Sequence, residues 1–310
     1  MIPVYIINGF LDSGKTEFIT YTISQPYFQM RGNTLIVACE EGENEYDDSL
    51  LKKTHAYVET IEDEEDFTSQ NLIALEKKYK PGRIIIEYNG MWNVKSMKFP
   101  WHWKVEQQLT MVNGKTFETY FANMKSMVAD HVRNSELVIV NRCDGLEDKI
   151  AGFKRNMKAI NPQAEIIFED ANGEMNVTLE EDLPYDINDN PIVLNDMGYG
   201  FWYLDVLDNM TRYKGKMVEF VAMVLHPPKF AKGYFVPGRM AMTCCADDMA
   251  FLGYACKYEK EAELQEQTWV KVKATVAIEY FEDYGKEGPV LHAVEVVPTA
   301  KPKEEIISFV

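Results

Sequence analysis

Basic residues are scarce in this chain: 32 Lys and Arg stand against 49 Asp and Glu, a formal net charge of −17 over 310 residues. A surface of that sign repels phosphate backbones and anionic membranes, so no general nucleic-acid binding is expected. A pocket that holds phosphate locally stays open, because backbone N–H groups can do so without an excess of Lys or Arg. Cysteine is sparse too. Cys39, Cys143, Cys244, Cys245 and Cys256 form an odd set without small-domain disulfide spacing, which points to reduced thiols and a cytoplasmic protein. No apolar run approaches the roughly 20 residues of a membrane-spanning helix. The opening Met1–Ile7 has no basic region and no small-residue cleavage site, so no secretory signal is expected. Glycine and proline, at 18 and 13 residues, are too few for a collagen-like or low-complexity chain.

What is present is a globular composition, 46% hydrophobic and 12% aromatic, at a length that suggests two domains. Up to about residue 175, short apolar runs alternate with helical stretches. Pro3–Ile7, Thr34–Ala38, Arg83–Ile86, Leu137–Val140 and Glu165–Phe168 read as buried strands. Lys15–Ser24, Asp66–Tyr79, Phe117–Asn134 and Glu147–Ile160 read as helices. That order predicts an α/β fold, a doubly wound and mostly parallel sheet with helices on both faces. Residues 176–196 are acidic, contain Pro184 and Pro191 and have no Lys or Arg, the pattern of a linker. In 197–310 a helix is expected at Trp202–Tyr213. Five strand-like runs follow, Met217–Leu225, Tyr234–Thr243, Ala250–Lys257, Thr268–Glu279 and Val290–Val297, suiting a smaller all-β barrel or a sandwich.

Gly9-Phe10-Leu11-Asp12-Ser13-Gly14-Lys15-Thr16 matches GxxxxGK[ST] between a strand and a helix. Its glycines let backbone N–H groups, including those of Ser13 and Gly14, wrap a polyphosphate. Lys15 reaches the outer phosphates and the Thr16 hydroxyl is placed for Mg²⁺. Asp12 is unexpected there, since an acid in an anion-binding loop must point to solvent. Ile84-Ile85-Ile86-Glu87-Tyr88-Asn89-Gly90 puts an acid at a strand end. Glu87 suits holding the metal's water or orienting the attacking one, and the Gly90 amide suits sensing a γ-phosphate. Asn141-Arg142-Cys143-Asp144 follows another strand, where the Asp144 carboxylate can accept both guanine N1–H and N2–H, selecting GTP over ATP.

These elements resemble the P-loop GTPases that act as metallochaperones and metal-centre maturation factors, specifically the CobW-like branch. Cys39-Glu40-Glu41-Gly42-Glu43 is similar to that branch's Asn-Glu-x-Gly-Glu stretch and Asn161-Pro162-Gln163-Ala164 to its Asn-Pro-x-Ala segment. Over residues 1–175 the resemblance implies Mg²⁺-dependent GTP hydrolysis. Lys15 and Glu87 are its catalytic groups, and Thr16, Glu40 and Glu87 lie about the metal. Gly9, Asp12, Ser13, Gly14 and Gly90 lie at the phosphates, with Asn141, Arg142 and Asp144 at guanine. It also implies a client metalloprotein. No clear arginine finger or water-orienting Gln is visible, so slow intrinsic turnover, stimulated by a protein partner or a homodimer, is expected. Two departures stand out. Arg142 replaces the usual Lys, and its flat guanidinium can still stack on a base. The branch's Cys-x-Cys-Cys metal motif is missing, since no Cys lies between Glu40 and Asn141. Glu59–Asp66 is acidic instead, which reads as a solvated loop or a site for harder cations. A non-catalytic nucleotide- or metal-binding scaffold is the alternative reading.

In the second part, Tyr213-Lys214-Gly215-Lys216, the block Arg239 to Asp248 with Cys244 and Cys245, and Trp269-Val270-Lys271-Val272 occur in order. They resemble the soluble C-terminal domain of YcgQ-like permease subunits, which implies an oligonucleotide/oligosaccharide-binding (OB)-like barrel. Adjacent cysteines on a strand face opposite ways, so a Zn²⁺ or other transition-metal site at Cys244 and Cys245 needs a bulge and help from Cys256, His226, Asp247 or Asp248. Trp92, Phe99, Trp101 and Trp103 are expected to pack on the first domain.

Overall fold

A computed structural model of the chain describes residues 1–40, 46–175, 183–242 and 249–308. They fall into two compact units, Met1–Leu179 and Glu180–Val310. The first runs β1 (Ile2–Asn8), α1 (Lys15–Ser24), β2 (Asn33–Ala38), α2 (Asp48–Thr54), β3 (Ala56–Thr60), α3 (Ser69–Tyr79), β4 (Pro81–Glu87) and β5 (Trp103–Asn113). It continues with α4 (Gly114–Asn123), α5 (Lys125–Arg133), β6 (Leu137–Asn141), α6 (Ile150–Ile160), β7 (Glu165–Asp170) and β8 (Gly173–Glu174). The sheet order is β3-β2-β4-β1-β5-β6-β7-β8, parallel except for the last pair.

The central strands serve two cores with alternate residues. Val4, Ile6, Leu35, Val37, Ile84 and Ile86 pack with Leu72 of α3, whereas Ile7, Ile36 and Ile85 pack with Ile19 and Ile23 of α1. Burial on both faces is why these strands are unbroken apolar runs. It also brings their C-terminal ends to one edge, where doubly wound sheets bind ligands.

Two strands escape the sequence pattern. β5 carries Gln108 and Thr110 among its buried residues, and Lys104–Glu106 are exposed, so neither a continuous nor an alternating apolar signal survives. β3 pairs only with β2, leaves Tyr57 exposed and takes in Glu59 and Thr60 of the stretch expected as an acidic loop. Within that stretch Glu59 accepts bonds from Lys78 and Tyr79, and Glu64 accepts from the Asn93 N–H at 3.1 Å and Ser96 Oγ at 2.9 Å. The single helix expected at Phe117–Asn134 is two, because Met124 leaves helical space (φ −133°) and the Asn123 amide takes the Thr119 carbonyl at 2.8 Å. Trp92, Phe99 and Trp103 pack around Phe67 and Tyr88 as expected, but Trp101 is 91% exposed.

The second unit runs β9 (Ile192–Val193), α7 (Asp196–Asp208), α8 (Met210–Tyr213), β10 (Met217–Leu225), β11 (Tyr234–Met242), β12 (Met249–Gly253), β13 (Cys256–Lys257), β14 (Trp269–Phe281), β15 (Lys286–Pro298) and β16 (Ile306–Ser308). Pairings run β11–β13–β15–β14–β10 and return to β11, so the strands close into a ring rather than stack as two separate sheets. The described part of the segment read as a linker belongs to this unit: Ile192 is fully buried and pairs in parallel with Val218. Its acidic composition hid a two-residue strand. The helix expected at Trp202–Tyr213 starts earlier, where the Asn195 side chain accepts from the Gly198 N–H at 2.7 Å. Tyr199, Trp202 and Val206 then bury one face beside Phe220. Among the described residues no helix is long and apolar enough to cross a membrane.

Candidate functional site

Gly9–Thr16 link β1 to α1 at the C-terminal edge of the sheet. Gly9 has φ +136°, and a Cβ there would lie 2.2 Å from the Met111 carbonyl oxygen, so only glycine lets the loop pass β5. Gly14, at φ +90°, opens α1. Asp12 also adopts a left-handed conformation (φ +57°), which Asp tolerates, and it is exposed, which keeps its carboxylate in water.

Lys15 is 3% exposed, and its ammonium donates to the carbonyls of Gly9 (2.8 Å) and Phe10 (2.9 Å) while pairing with Glu40. Burial raises the proton affinity of Glu40, and Lys15 and the Gly90 N–H oppose that rise. The structure therefore brings Glu40 to Lys15, on the phosphate side of the loop. Glu87, at the end of β4 and 3% exposed, accepts from Thr16 Oγ1 at 2.5 Å and from Tyr46 Oη at 2.6 Å. Burial and the Glu87 charge push the Cys39 thiol far above its ordinary range, so it stays protonated.

From the end of β6, the Asn141 amide donates to the Ser13 carbonyl at 2.8 Å, and Arg142 Nη1 donates to the Asp12 carbonyl at 2.6 Å. Arg142 also lies 3.8 Å from Glu17, so this guanidinium braces the loop. Asp144 stands apart from these groups: it is exposed, and its Oδ1 accepts from the Ala171 N–H at 3.1 Å. Ser13, Lys15, Thr16, Glu40, Glu87 and Arg142 line one cleft of about 410 Å³. The buried Ser13 hydroxyl and Asn141 Oδ1 have no partner among the described residues, leaving polar capacity at this edge.

Sequence reasoning assigned no part in the site to Tyr46 or His131. The His131 ring bonds the Gly90 carbonyl at 3.0 Å and meets the Phe10 ring edge-on at 4.8 Å. Burial pushes its pKa down to about 4, so the ring is neutral near pH 7. Tyr46 and His131 each lie 41 residues along the chain from their partners, beyond any local pattern. Cys244 and Cys245, with Asp247 and Asp248, lie outside the described residues. Of their suggested helpers, Cys256 is buried with its thiol held protonated, and His226 bonds Glu266 at 2.8 Å. Among the described residues no group of three or more His, Cys, Asp or Glu is arranged to hold a metal ion.

A glycine-bearing strand–loop–helix with a buried Lys, and a strand-terminal acid on the following Thr, define a P-loop nucleotide-binding protein. Residues 3–168 match the CobW/HypB/UreG nucleotide-binding domain, and the chain belongs to that family. Residues 170–307 match the DUF1980 C-terminal domain. No curated protein matches the chain significantly. Similar solved structures include the hydrogenase maturation factor HypB from Archaeoglobus fulgidus (19% identity, 56% of this chain and 82% of that one, TM-score 0.42). Zn(II)-bound YjiA GTPase from E. coli is 14% identical over 82% of this chain and 88% of its own (TM-score 0.42). HypB from Helicobacter pylori in complex with nickel is 14% identical over 55% and 80% (TM-score 0.37).

Proposed function

We propose that residues 1–175 form a Mg²⁺-dependent GTPase domain in a cytoplasmic protein, coupling nucleotide state to metal handling or to a protein partner. The reading is carried by the convergence of Lys15, Thr16 and Glu87 on one cleft beside a loop braced from the end of β6 by Asn141 and Arg142. Glycine at 9, with no room for a Cβ, and the unpartnered Ser13 hydroxyl suit a polyphosphate cradle. Oxygen donors alone, from Thr16 and Glu87, suit a hard cation, and Mg²⁺ held there would neutralise charge on the outer phosphate oxygens. Lys15 exchanges its Glu40 contact for phosphate and stabilises charge as it develops. Glu87 orients water, and the Gly90 N–H turns from Glu40 to the γ-phosphate. Asp144 reads guanine. Arg142, tied to the Asp12 carbonyl, is not poised as an arginine finger, so turnover is slow until a partner or a second copy adds one.

The second unit fits an OB-like barrel by its closed ring of strands. A transition metal at Cys244 and Cys245, argued from the donor chemistry of those residues, and a client metalloprotein, argued from family resemblance, complete the proposal. The test is release of γ-phosphate from GTP with Mg²⁺ by wild type and Lys15→Ala. A loss of roughly 10²–10³-fold is expected, and equal rates refute the GTPase reading in favour of a scaffold. Tighter binding of ATP than GTP would refute the role of Asp144.

A further inference from the structure

We infer that Tyr46 is a positioning residue for the metal side of this cleft: its hydroxyl fixes the Glu87 carboxylate, and the Mg²⁺-dependent part of nucleotide affinity depends on that hydrogen bond. This rests on the proposal that Glu87 stands beside Mg²⁺. A carboxylate as deeply buried as Glu87 needs donors on its oxygens to be satisfied and held in one orientation. Oε1 accepts from Thr16 and Oε2 from Tyr46. The Thr16 oxygen has a second task, since its lone pairs must face the metal. Tyr46 has none in the cleft beyond holding Glu87.

The phenol arrives from a fixed base. Its ring packs against the cluster of Ile7, Ile19 and Ile36, and the next residue, Asp47, caps α2 by accepting from the Leu50 N–H at 2.9 Å. Towards the Glu87 carboxylate, which only accepts, the phenol O–H is the donor, at 2.6 Å. Tyr46 also ends the stretch that begins at Glu40, so the two residues carry the ends of one segment to Glu87 and Lys15. Removing the hydroxyl alone keeps the packing area but leaves one oxygen of a buried carboxylate without this donor and free to rotate.

GDP affinity is measured by calorimetry, with Mg²⁺ and with EDTA, for wild type, Tyr46→Phe, Glu87→Gln and the double variant. Tyr46→Phe should bind GDP in EDTA within about twofold of wild type, while the tightening produced by Mg²⁺ falls about 3–10-fold. In the Glu87→Gln background the same change should add nothing, which a merely structural role would not produce. Undiminished tightening in Tyr46→Phe, or equal losses with and without Mg²⁺, overturns the assignment. If Tyr46→Phe folds poorly, Tyr46→Met, an apolar side chain with no hydroxyl to donate, must show the same selective loss or the assignment fails. Wild-type GDP binding that ignores Mg²⁺ would instead sink the placement of Mg²⁺ at Glu87, and this role with it.

Discussion

Ten of the twelve described polar side chains that are buried lie in the first unit, and only Asp205 and Arg239 lie in the second. In the first unit several are linked to one another behind the phosphate loop. Thr110 Oγ1 donates to Asn8 Oδ1 and lies against Ser135 Oγ, both at 2.6 Å, and the Asn8 amide donates to the His131 carbonyl at 3.3 Å. In the second unit the two are separate joints. Asp205 binds Arg212 (2.8 Å), Asn209 (2.6 Å) and Tyr213 within one helical segment, and Arg239 ties β11 to Asp196 of α7 at 2.7 Å. Buried polarity costs desolvation unless it is satisfied, and a linked network holds loops in one arrangement. Apart from Arg83 and Thr34, which bond each other at the N-terminal ends of β4 and β2, the first unit gathers much of its buried polarity at and behind the site, whereas the second uses it to fasten one helix to a ring of strands lined by apolar side chains.

The contrast breaks first at Arg239. This side chain is 1% exposed, bonds Asp196 and the Glu304 carbonyl, and has no Nε partner among the described residues, so Arg239→Met, which removes these charged hydrogen bonds, should destabilise the second unit by about 3 kcal/mol. Hydrogen exchange should rise across 180–310 while GDP affinity stays within twofold of wild type, and a loss of affinity would mean that the joint serves the site. A smaller effect is expected at Gly90, where a Cβ would stand 2.3 Å from the Gly9 carbonyl oxygen and 2.7 Å from Phe10 Cα. Gly90→Ala must spread the two loops, an overpacking of about 1–3 kcal/mol that should weaken GDP binding roughly tenfold or more. Calorimetry checks it, and unchanged affinity would separate Gly90 from the site.

The smallest effect is in pH dependence. His131 falls from 6.5 to about 4 on burial, so the unfolded chain binds the extra proton between these values. Its contribution to stability is therefore present above about 6.5 and is lost as pH falls towards about 4. Urea unfolding of wild type and His131→Asn across that window should differ in slope by up to one proton, and parallel curves would place the titration elsewhere.

Much of the first unit was legible because its strands are buried on both faces. Pro3–Ile7 and Thr34–Ala38 are apolar without interruption and coincide with β1 and β2 to within a residue, and Lys15–Ser24 coincides with α1. β5 was not legible, since Gln108 and Thr110 sit in its buried half and take part in the polar interior that no residue-by-residue pattern marks as core. In the second unit, Met217–Leu225 alternates buried and half-buried residues and reads directly, whereas Ile192–Val193 is a strand only because β10 lies beside it. The acidic stretches also changed meaning. Glu59 and Glu64 read as part of a solvated loop or a site for harder cations, but each is met by a side chain or N–H of this chain.

By itself the sequence determined that a phosphate loop lies between a strand and a helix, that an acid ends the strand Arg83–Ile86, and that a second, β-rich part follows. These are local facts, set by the spacing of glycine, lysine and apolar residues over short windows. Only the tertiary structure decided which groups meet. It set Glu40 on Lys15, Thr16 and Tyr46 on the two oxygens of Glu87, Arg142 on the Asp12 carbonyl and His131 on Gly90. Parallel strands require long crossovers, so residues side by side at the sheet edge come from distant parts of the chain, and their contacts exist only once the sheet has formed.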